Sequence, residues 1–361
     1  MKNKQWLLAR PPAGLLPEEG DFELCEAPVP EPGANQMLTR TIYLSLDPYQ
    51  WGRRQQGVEK PGEVCHGRTV SQVVKSRLAG YAEGDYVFNT NGWQEYGLSG
   101  DGIPVFTYMF PRKIDPAAAP ISTALSVLGI LGLTAYAGML VQCAPHAGET
   151  AVVSAASGGV GQVAAQIAKL LGCRVIGIAG SREKCAFVTA ELGLDACVSH
   201  LSPAFPQDLS AACGGRVDVY FENVGGKVFD AVLPLFAAGA RMSLCGVISQ
   251  YTSAGAAESR EALLARGRTV FERRGVRVES LSVANFVASH QARFLDDMAA
   301  WAREGKVKYK EDLREGLAQA PRVFRAMLEG RTFGKTLIGV GEDPSLDDAT
   351  RRRRSGANVL A

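Results

Sequence analysis

Three glycines in "AVVSAASGGVGQVAAQIAK", Gly158, Gly159 and Gly161, stand between an apolar run and a segment with Val160, Val163, Ala164, Ile167 and Leu171 along one helical face. In that order, strand, glycine turn and helix let backbone N–H groups approach an anion with no β-carbons in the way. The positive end of the helix dipole lies behind them. The pattern predicts a pyrophosphate cradle formed by Gly158 to Gly161. A tight turn that serves packing alone is the weaker reading inside a βαβ unit. A second stretch, "GCRVIGIAGSREK", follows the glycines by one helix. Dinucleotide-binding folds often place a carboxylate for the ribose hydroxyls here, about 20 residues past the glycines. This chain instead ends the strand in Ala179, Gly180 and Ser181, followed by Arg182 and Lys184. Arg182 alone would pass for an exposed helix residue. The two cations together suit a 2′-phosphate, each charge-assisted hydrogen bond contributing roughly 1.5–3 kcal/mol and less where water competes. The expected cofactor is therefore NADPH/NADP rather than NAD.

Metal chemistry has no comparable support. Cysteines stand at 25, 65, 143, 173, 185, 197, 213 and 245, with no C-x-x-C pair among them. They read as reduced, mostly buried thiols, and no thiolates and imidazoles cluster at zinc-ligand spacing. Cys65-His66, the one adjacent pair, reads as packing. No metal is expected.

The elements that must position these residues divide the chain. At 361 residues it exceeds one ordinary core, and two domains are expected. A net charge of +2 gives no reason to expect nucleic acid or an acidic surface as partner. The segment "MKNKQWLLARPP" lacks an apolar run long enough for a signal peptide, so a cytoplasmic location is expected. Between Pro116 and Gln142 there is no charge, and the length could span a bilayer. Its glycines, serines and threonines favour instead a helix buried on all sides.

Up to about Pro120, short apolar runs such as "MLTRTIYLSL" and "GDYVFNT" between turn signals predict a β-rich domain. From "TAVVSAA" onward, strands alternate with helices, the last strand being "VRVESLSV" after a polar loop. That alternation predicts a doubly wound parallel sheet. The expected division is 1–124 for the β-rich domain, 125–300 for the nucleotide-binding domain, and 301–340 for a return to the first. Residues 341–361, with four consecutive arginines, are expected to form a mobile tail.

At this point the chain resembles the medium-chain dehydrogenase/reductase superfamily, in its zinc-independent leukotriene/prostaglandin reductase branch and most of all its bacterial curcumin reductases. The likeness runs from Trp6 to Val340. It rests on "QWLLARPP", "YLSLDPY", "GWQEY", "LGLTAY", "GGVGQVAAQIAKLLGCRVIGIAG", "ENVGGKVFDAVLPL", "CGVIS" and "EGRTFGKTLIGV". The resemblance implies a GroES-like β-rich domain plus a Rossmann domain, reduction of a carbon–carbon double bond conjugated to a carbonyl with NADPH, and a homodimer. Carried over by position, it gives Lys184 the 2′-phosphate and puts His200 where the branch often has a tyrosine beside that phosphate. Asn223 would lie near the cofactor ribose. Cys245, Gly246, Val247, Ile248, Ser249, Gln250 and Tyr251 would follow the nicotinamide half, with backbone contacts from Leu281, Ser282 and Val283. Three departures fall where the ligand site is expected. Gln50 and Trp51 follow "DPY" in place of Met-Arg, and Thr332 replaces the usual asparagine before "FGK".

Hydride transfer is the cofactor's chemistry, and the protein supplies position and electrostatics. The carbonyl oxygen of an enone or enal gains negative charge as hydride reaches the β-carbon, and needs a donor. Tyr251 is the first candidate and Tyr49 the second, either one or water returning the proton to the α-carbon. Tyr49 could instead anchor the Asp47-Pro48 turn, and Trp93 reads as packing. The rival function on this scaffold is a quinone or enoyl-thioester reductase, which the Gln50-Trp51 pair would favour. A more distant rival is an NADPH-binding protein without turnover.

Overall fold

The computed structural model describes residues 2–106, 108–251 and 259–347. It forms two compact units, 1–125 with 311–361, and 126–310. The expected division placed the return to the first unit near 301. The first unit opens with β1 (Lys2–Leu8), β2 (Phe22–Pro28), β3 (Gln36–Ser45), α1 (Pro48–Gln55), β4 (Thr69–Ser76), β5 (Tyr86–Asn89), β6 (Tyr96–Gly100) and β7 (Arg112–Ile114). The second holds α2 (Ile130–Tyr136), β8 (Thr150–Val153), α3 (Gly161–Leu170), β9 (Arg174–Ala179), α4 (Arg182–Ala190), β10 (Ala196–Ser199), α5 (Phe205–Cys213) and β11 (Val217–Glu222). It continues with α6 (Gly226–Val232), β12 (Phe236–Leu244), α7 (Arg260–Arg274), β13 (Arg277–Ser280) and α8 (Ala284–Arg303). The chain returns to the first unit through β14 (Glu311–Glu315), α9 (Ala320–Leu328) and β15 (Lys335–Gly339).

In the second unit six strands pair in the order β10-β9-β8-β11-β12-β13, every pair parallel. This is the Rossmann order with its switch point beside β8. Successive residues of β8 face opposite layers. Ala151 and Val153 join the core that includes Val163, Ala164 and Ile167 of α3, while Val152 joins Leu209, Phe229 and Met242. Burial of both faces explains the consecutive apolar residues Ala151, Val152 and Val153 in β8 and Val219, Tyr220 and Phe221 in β11. β13 lies at the edge of the sheet.

The first unit is β-rich, as expected. Its main sheet runs β14-β15-β3-β4-β5-β7, with β6 also on β3, and β1 and β2 form a separate pair. Part of its interior is polar. Thr39, Thr69, Ser71, Asn89 and Asn91 are buried and satisfy one another, with Thr69 donating to Asn89 Oδ1 at 2.6 Å and Asn89 donating to Thr39 Oγ1 at 2.9 Å. Alternating Ser and Thr on β3 and β4 therefore mark an inward face rather than a solvent face.

Three expectations need correction. The polar loop before β13 contains α7, a helix with Ser259 accepting from the Ala262 N–H at its start and Gly275 in the left-handed region at its end. Only Leu263 and Gly267 of it are buried, so the sequence carries little amphipathic signal. The uncharged 116–142 stretch is not one helix. It breaks into a 3₁₀ turn at Ile121–Leu125, α2, and a π-helical turn at Ala137–Cys143. Its residues are mostly buried, and no described helix is long and apolar enough to cross a membrane. The 341–361 tail begins anchored. Asp343 is buried and accepts from the Tyr43 hydroxyl at 2.6 Å, whereas its arginine run lies outside the described residues.

Candidate functional site

The sequence-derived candidates divide between the units. Tyr49 and Thr332 belong to the first, and all the others to the second.

In the second unit, β8 leads into the glycine turn through Ala155, whose φ of 49° is unusual for a residue with a side chain. The turn doubles back so tightly that a β-carbon at Gly161 would lie 2.2 Å from the Ala155 carbonyl oxygen. No Cβ fits there without moving the backbone. Val160 precedes α3 with helical dihedrals and no side-chain cap. The first turn of α3 is closed by backbone alone, Gln162 donating to the Gly158 carbonyl at 3.0 Å and Val163 and Ala164 to the Val160 carbonyl at 3.1 and 3.0 Å, so an anion here would meet the glycine turn at the positive end of the helix dipole.

At the tip of β9, Ser181 caps α4 by accepting from the Lys184 N–H at 3.2 Å. Arg182 is exposed and Lys184 half-buried. His200 packs beside Gly180, its own N–H donating to the Ala179 carbonyl at 3.0 Å. Its Nδ1 is buried with no hydrogen-bond partner among the described residues. Burial, and then the charges of Lys227 and Lys184, hold its imidazole below the ordinary histidine range. Lys227 was not singled out from sequence. It comes from the start of α6, on a different crossover, and only the fold brings it to this tip.

Beyond β11, the "ENVGG" turn is organised by the buried Glu222. Its Oε1 accepts from the Val224 N–H at 2.6 Å, the Gly225 N–H at 3.1 Å and Ser154 Oγ at 2.8 Å, while Oε2 accepts from the Tyr220 hydroxyl at 2.5 Å. Burial raises this carboxyl, against the pull of those donors. Asn223 is fixed by donating its amide to the Ser154 carbonyl at 2.7 Å, which leaves its own amide oxygen as acceptor. The stretch from Cys245 to Tyr251 lies along this turn. Cys245 and Gly246 donate to the Glu222 carbonyl, Ile248 to Asn223 and Ser249 to Val224. Tyr251 closes a short 3₁₀ turn, largely buried, its phenol raised by that burial. Leu281 spends its N–H on the Leu244 carbonyl and its own carbonyl on Arg260. Backbone contacts to a ligand in this segment would fall to Ser282 and Val283.

In the first unit, Tyr49 opens α1 behind the Asp47-Pro48 turn. Its hydroxyl lies 2.9 Å from His66 Nε2, and its ring stacks on Phe106 with centroids 5.9 Å apart and planes at 8°. Arg53 lies over the Phe106 ring at 4.2 Å. Both backbone groups of His66 are held, its N–H by Glu59 at 3.1 Å and its carbonyl by Arg54 at 3.3 Å. Burial first, then Arg53, Arg54 and Arg68, pushes His66 down to about 3, and burial pushes the Tyr49 phenol above its ordinary range. The pair is therefore a neutral imidazole and a neutral phenol. Asp47 sits beneath it, paired with Arg68 at 2.5 Å and Lys335 at 2.9 Å. Burial alone would raise the Asp47 carboxyl, but these two cations hold it below the usual carboxylate range.

Gln50 and Trp51 do not line a ligand space. Gln50 is fully buried, its side chain donating to the Ser45 carbonyl at 2.9 Å and accepting from the Asp47 N–H at 3.3 Å, so it completes the cap of α1. Trp51 is fully buried against Phe22 and Phe324, and its indole N–H donates to the Leu15 carbonyl at 2.6 Å. Trp93 is likewise packing, stacked on Phe22 at 5.3 Å. The Thr332 hydroxyl accepts from Thr336 at 2.9 Å. Among the described residues no three His, Cys, Asp or Glu side chains are grouped to hold a metal ion.

A glycine cradle at the switch point of a six-stranded parallel sheet, with cations at the tip of its second strand, defines a nucleotide-binding unit of the dehydrogenase type. Comparison with known proteins agrees. Residues 4–105 match a family model described as the N-terminal domain of oxidoreductase, and residues 159–289 one described as zinc-binding dehydrogenase. The NADPH-dependent curcumin reductase of Escherichia coli (strain K12) is 41% identical over 348 residues, covering 95% of this chain and 98% of that protein. The NADP(+)-dependent 2-alkenal reductase of Nicotiana tabacum is 35% identical, covering 95% and 99%. The crystal structure of CurA in complex with NADPH from Vibrio vulnificus superposes with a TM-score of 0.86 at 39% identity, covering 94% of this chain and 100% of that one. The chain belongs to the medium-chain dehydrogenase/reductase superfamily, in its leukotriene/prostaglandin reductase branch.

Proposed function

We propose that the protein is an NADPH-dependent reductase of the carbon–carbon double bond of α,β-unsaturated carbonyl compounds, enones and enals. The observation that carries the cofactor choice is the tip of β9. Lys184 and Lys227 there flank a half-buried His200 whose Nδ1 lacks a partner among the described residues, and no carboxylate ends the strand. A 2′-phosphate fits such a set, since it offers acceptor oxygens and nearly two negative charges. Gly158, Gly159, Val160 and Gly161 would hold the pyrophosphate, and the amide oxygen of Asn223 a ribose hydroxyl. When bound, NADPH supplies hydride from C4 of its nicotinamide, delivered on this reading to the substrate β-carbon. Relatives named for curcumin and for 2-alkenals support the substrate class.

The chain's own residues hold the substrate and move the proton. Tyr251 and Tyr49 are neutral phenols, able to donate to the carbonyl oxygen as its charge develops without bringing charge of their own. Tyr49, Phe106 and Tyr108 offer aromatic faces suited to a flat conjugated acceptor. The quinone or enoyl-thioester alternative loses its support in the sequence, because Gln50 and Trp51 are spent on the fold of the first unit. We also propose a homodimer, for which sedimentation is the test.

Following NADPH absorbance with alkenals, enones, quinones and enoyl thioesters tests the reading. The expected result is oxidation with the first two and deuterium from C4-labelled NADPH at the β-carbon of the product. Turnover confined to quinones or thioesters would overturn it, and tight NADPH binding with no acceptor would leave only a binding protein. In the same assay Tyr251→Phe is expected to lower turnover while NADPH affinity stays within about twofold.

A further inference from the structure

Among the eight cysteines, two stand apart from the rest. Cys185, in the first turn of α4, and Cys197, in β10, have their sulfurs 2.9 Å apart, the Cys197 thiol donating to Cys185. Both are half-buried, whereas Cys65, Cys143, Cys173 and Cys213 are buried. A disulfide needs sulfurs about 2.05 Å apart, so the present gap closes with a shift of about 1 Å. We propose that Cys185 and Cys197 form a modification site at the rim of the nucleotide cradle, a thiol pair that hydroperoxides convert reversibly to a disulfide.

The two sulfurs are unequal. Cys185 accepts the Cys197 hydrogen bond and sits in a helix N-terminal turn directly after Lys184, conditions that favour its thiolate. Its thiol is accordingly lowered and that of Cys197 raised. Cys185 is the attacking sulfur. It displaces hydroxide from the peroxide, which takes up a proton to leave as water, and becomes a sulfenic acid. Cys197 then attacks that sulfur, its proton leaving with the hydroxyl group as a second water. Each sulfur gives up one electron, and the O–O bond is the one reduced. A small dithiol reverses the product by exchange.

A second consequence rests on the 2′-phosphate site proposed above. Lys184 precedes Cys185, and His200 lies three residues beyond Cys197. A dianion held there disfavours the Cys185 thiolate by like-charge repulsion and slows its oxidation.

The experiment treats the full chain with hydrogen peroxide and maps its peptides by mass. A 185–197 cross-linked peptide is expected that disappears with dithiothreitol, is absent in Cys185→Ser and Cys197→Ser, and persists in the control Cys25→Ser. Thiol loss spread equally over wild type and variants, or no cross-link, overturns the proposal. Adding adenosine 2′,5′-bisphosphate is expected to slow cross-linking about tenfold, and 5′-AMP is expected to leave it unchanged. A cross-link that forms at one rate with either nucleotide keeps the thiol pair and removes the 2′-phosphate reading.

Discussion

The Tyr49 hydroxyl lies 2.9 Å from His66 Nε2, with the phenol raised and the imidazole lowered by burial so that neither carries charge. A phenol in that state is a proton donor and not a base. Its imidazole partner fixes where the hydroxyl points. Tyr49→Phe is expected to cut turnover about 10–100-fold with little change in NADPH affinity. His66→Gln, which can still hydrogen-bond, should lose less than His66→Phe. Steady-state kinetics decide it, since equal turnover in all three variants would make the pair an anchor for α1 and nothing more.

The cationic tip of β9 makes a separate prediction about cofactor choice. Lys184→Ala and Lys227→Ala should each weaken NADPH binding about tenfold, the value of one partly solvated charge-assisted hydrogen bond. Binding of NADH should barely move, because it carries no 2′-phosphate. Titration of cofactor fluorescence with both nucleotides measures this. A parallel loss for NADPH and NADH would mean that the lysines support the fold of the tip.

How legible these sites were in the sequence follows from how far apart their parts lie along the chain. The glycine turn was readable because strand, turn and helix are contiguous and each has its own period. Lys184 was readable because its distance from that turn is set by one βαβ unit. Lys227 was not, since it reaches the same tip from another crossover. His66 read as packing because its chemistry comes from Tyr49, 17 residues earlier and across a turn. The Asp47–Lys335 pair, 288 residues apart, left only two motifs, "DPY" and "FGK", with nothing local to join them. Gln50 and Trp51 misled for the opposite reason. They looked unusual beside a candidate tyrosine, and capping and packing account for both.

Stability should depend on acid through His66. Its folded value is about 3 against about 6.5 when unfolded. Between those values the unfolded chain binds a proton that the folded chain refuses, so stability is lost as pH falls through this window. The slope approaches about 1.4 kcal/mol per pH unit, which gives about 2 kcal/mol between about pH 6.5 and about pH 5. His200, also lowered, adds in the same direction. The test is therefore a difference between urea melts at the two pH values. His66→Gln should retain about 2 kcal/mol more of its stability over that interval than the wild type does, and an identical loss in both would show that His66 titrates normally.

Asp47 compensates two buried cations at once, Arg68 at 2.5 Å and Lys335 at 2.9 Å, and all three side chains are nearly inaccessible to water. Removing its charge strands both cations. Asp47→Asn is expected to destabilise the protein by about 3–5 kcal/mol, the cost of breaking a buried pair from one side. Lys335→Met should cost less, about 1–2 kcal/mol, because Arg68 keeps its partner and the methionine fills the volume. What remains is the Leu46 carbonyl, which loses the 2.6 Å hydrogen bond that Lys335 donates. Denaturant unfolding ranks the two variants. If Lys335→Met proved the more damaging, the lysine would be holding β15 against the Leu46 carbonyl more than it balances Asp47. The link between "DPY" and "FGK" would then be a backbone clamp and not an ion triad.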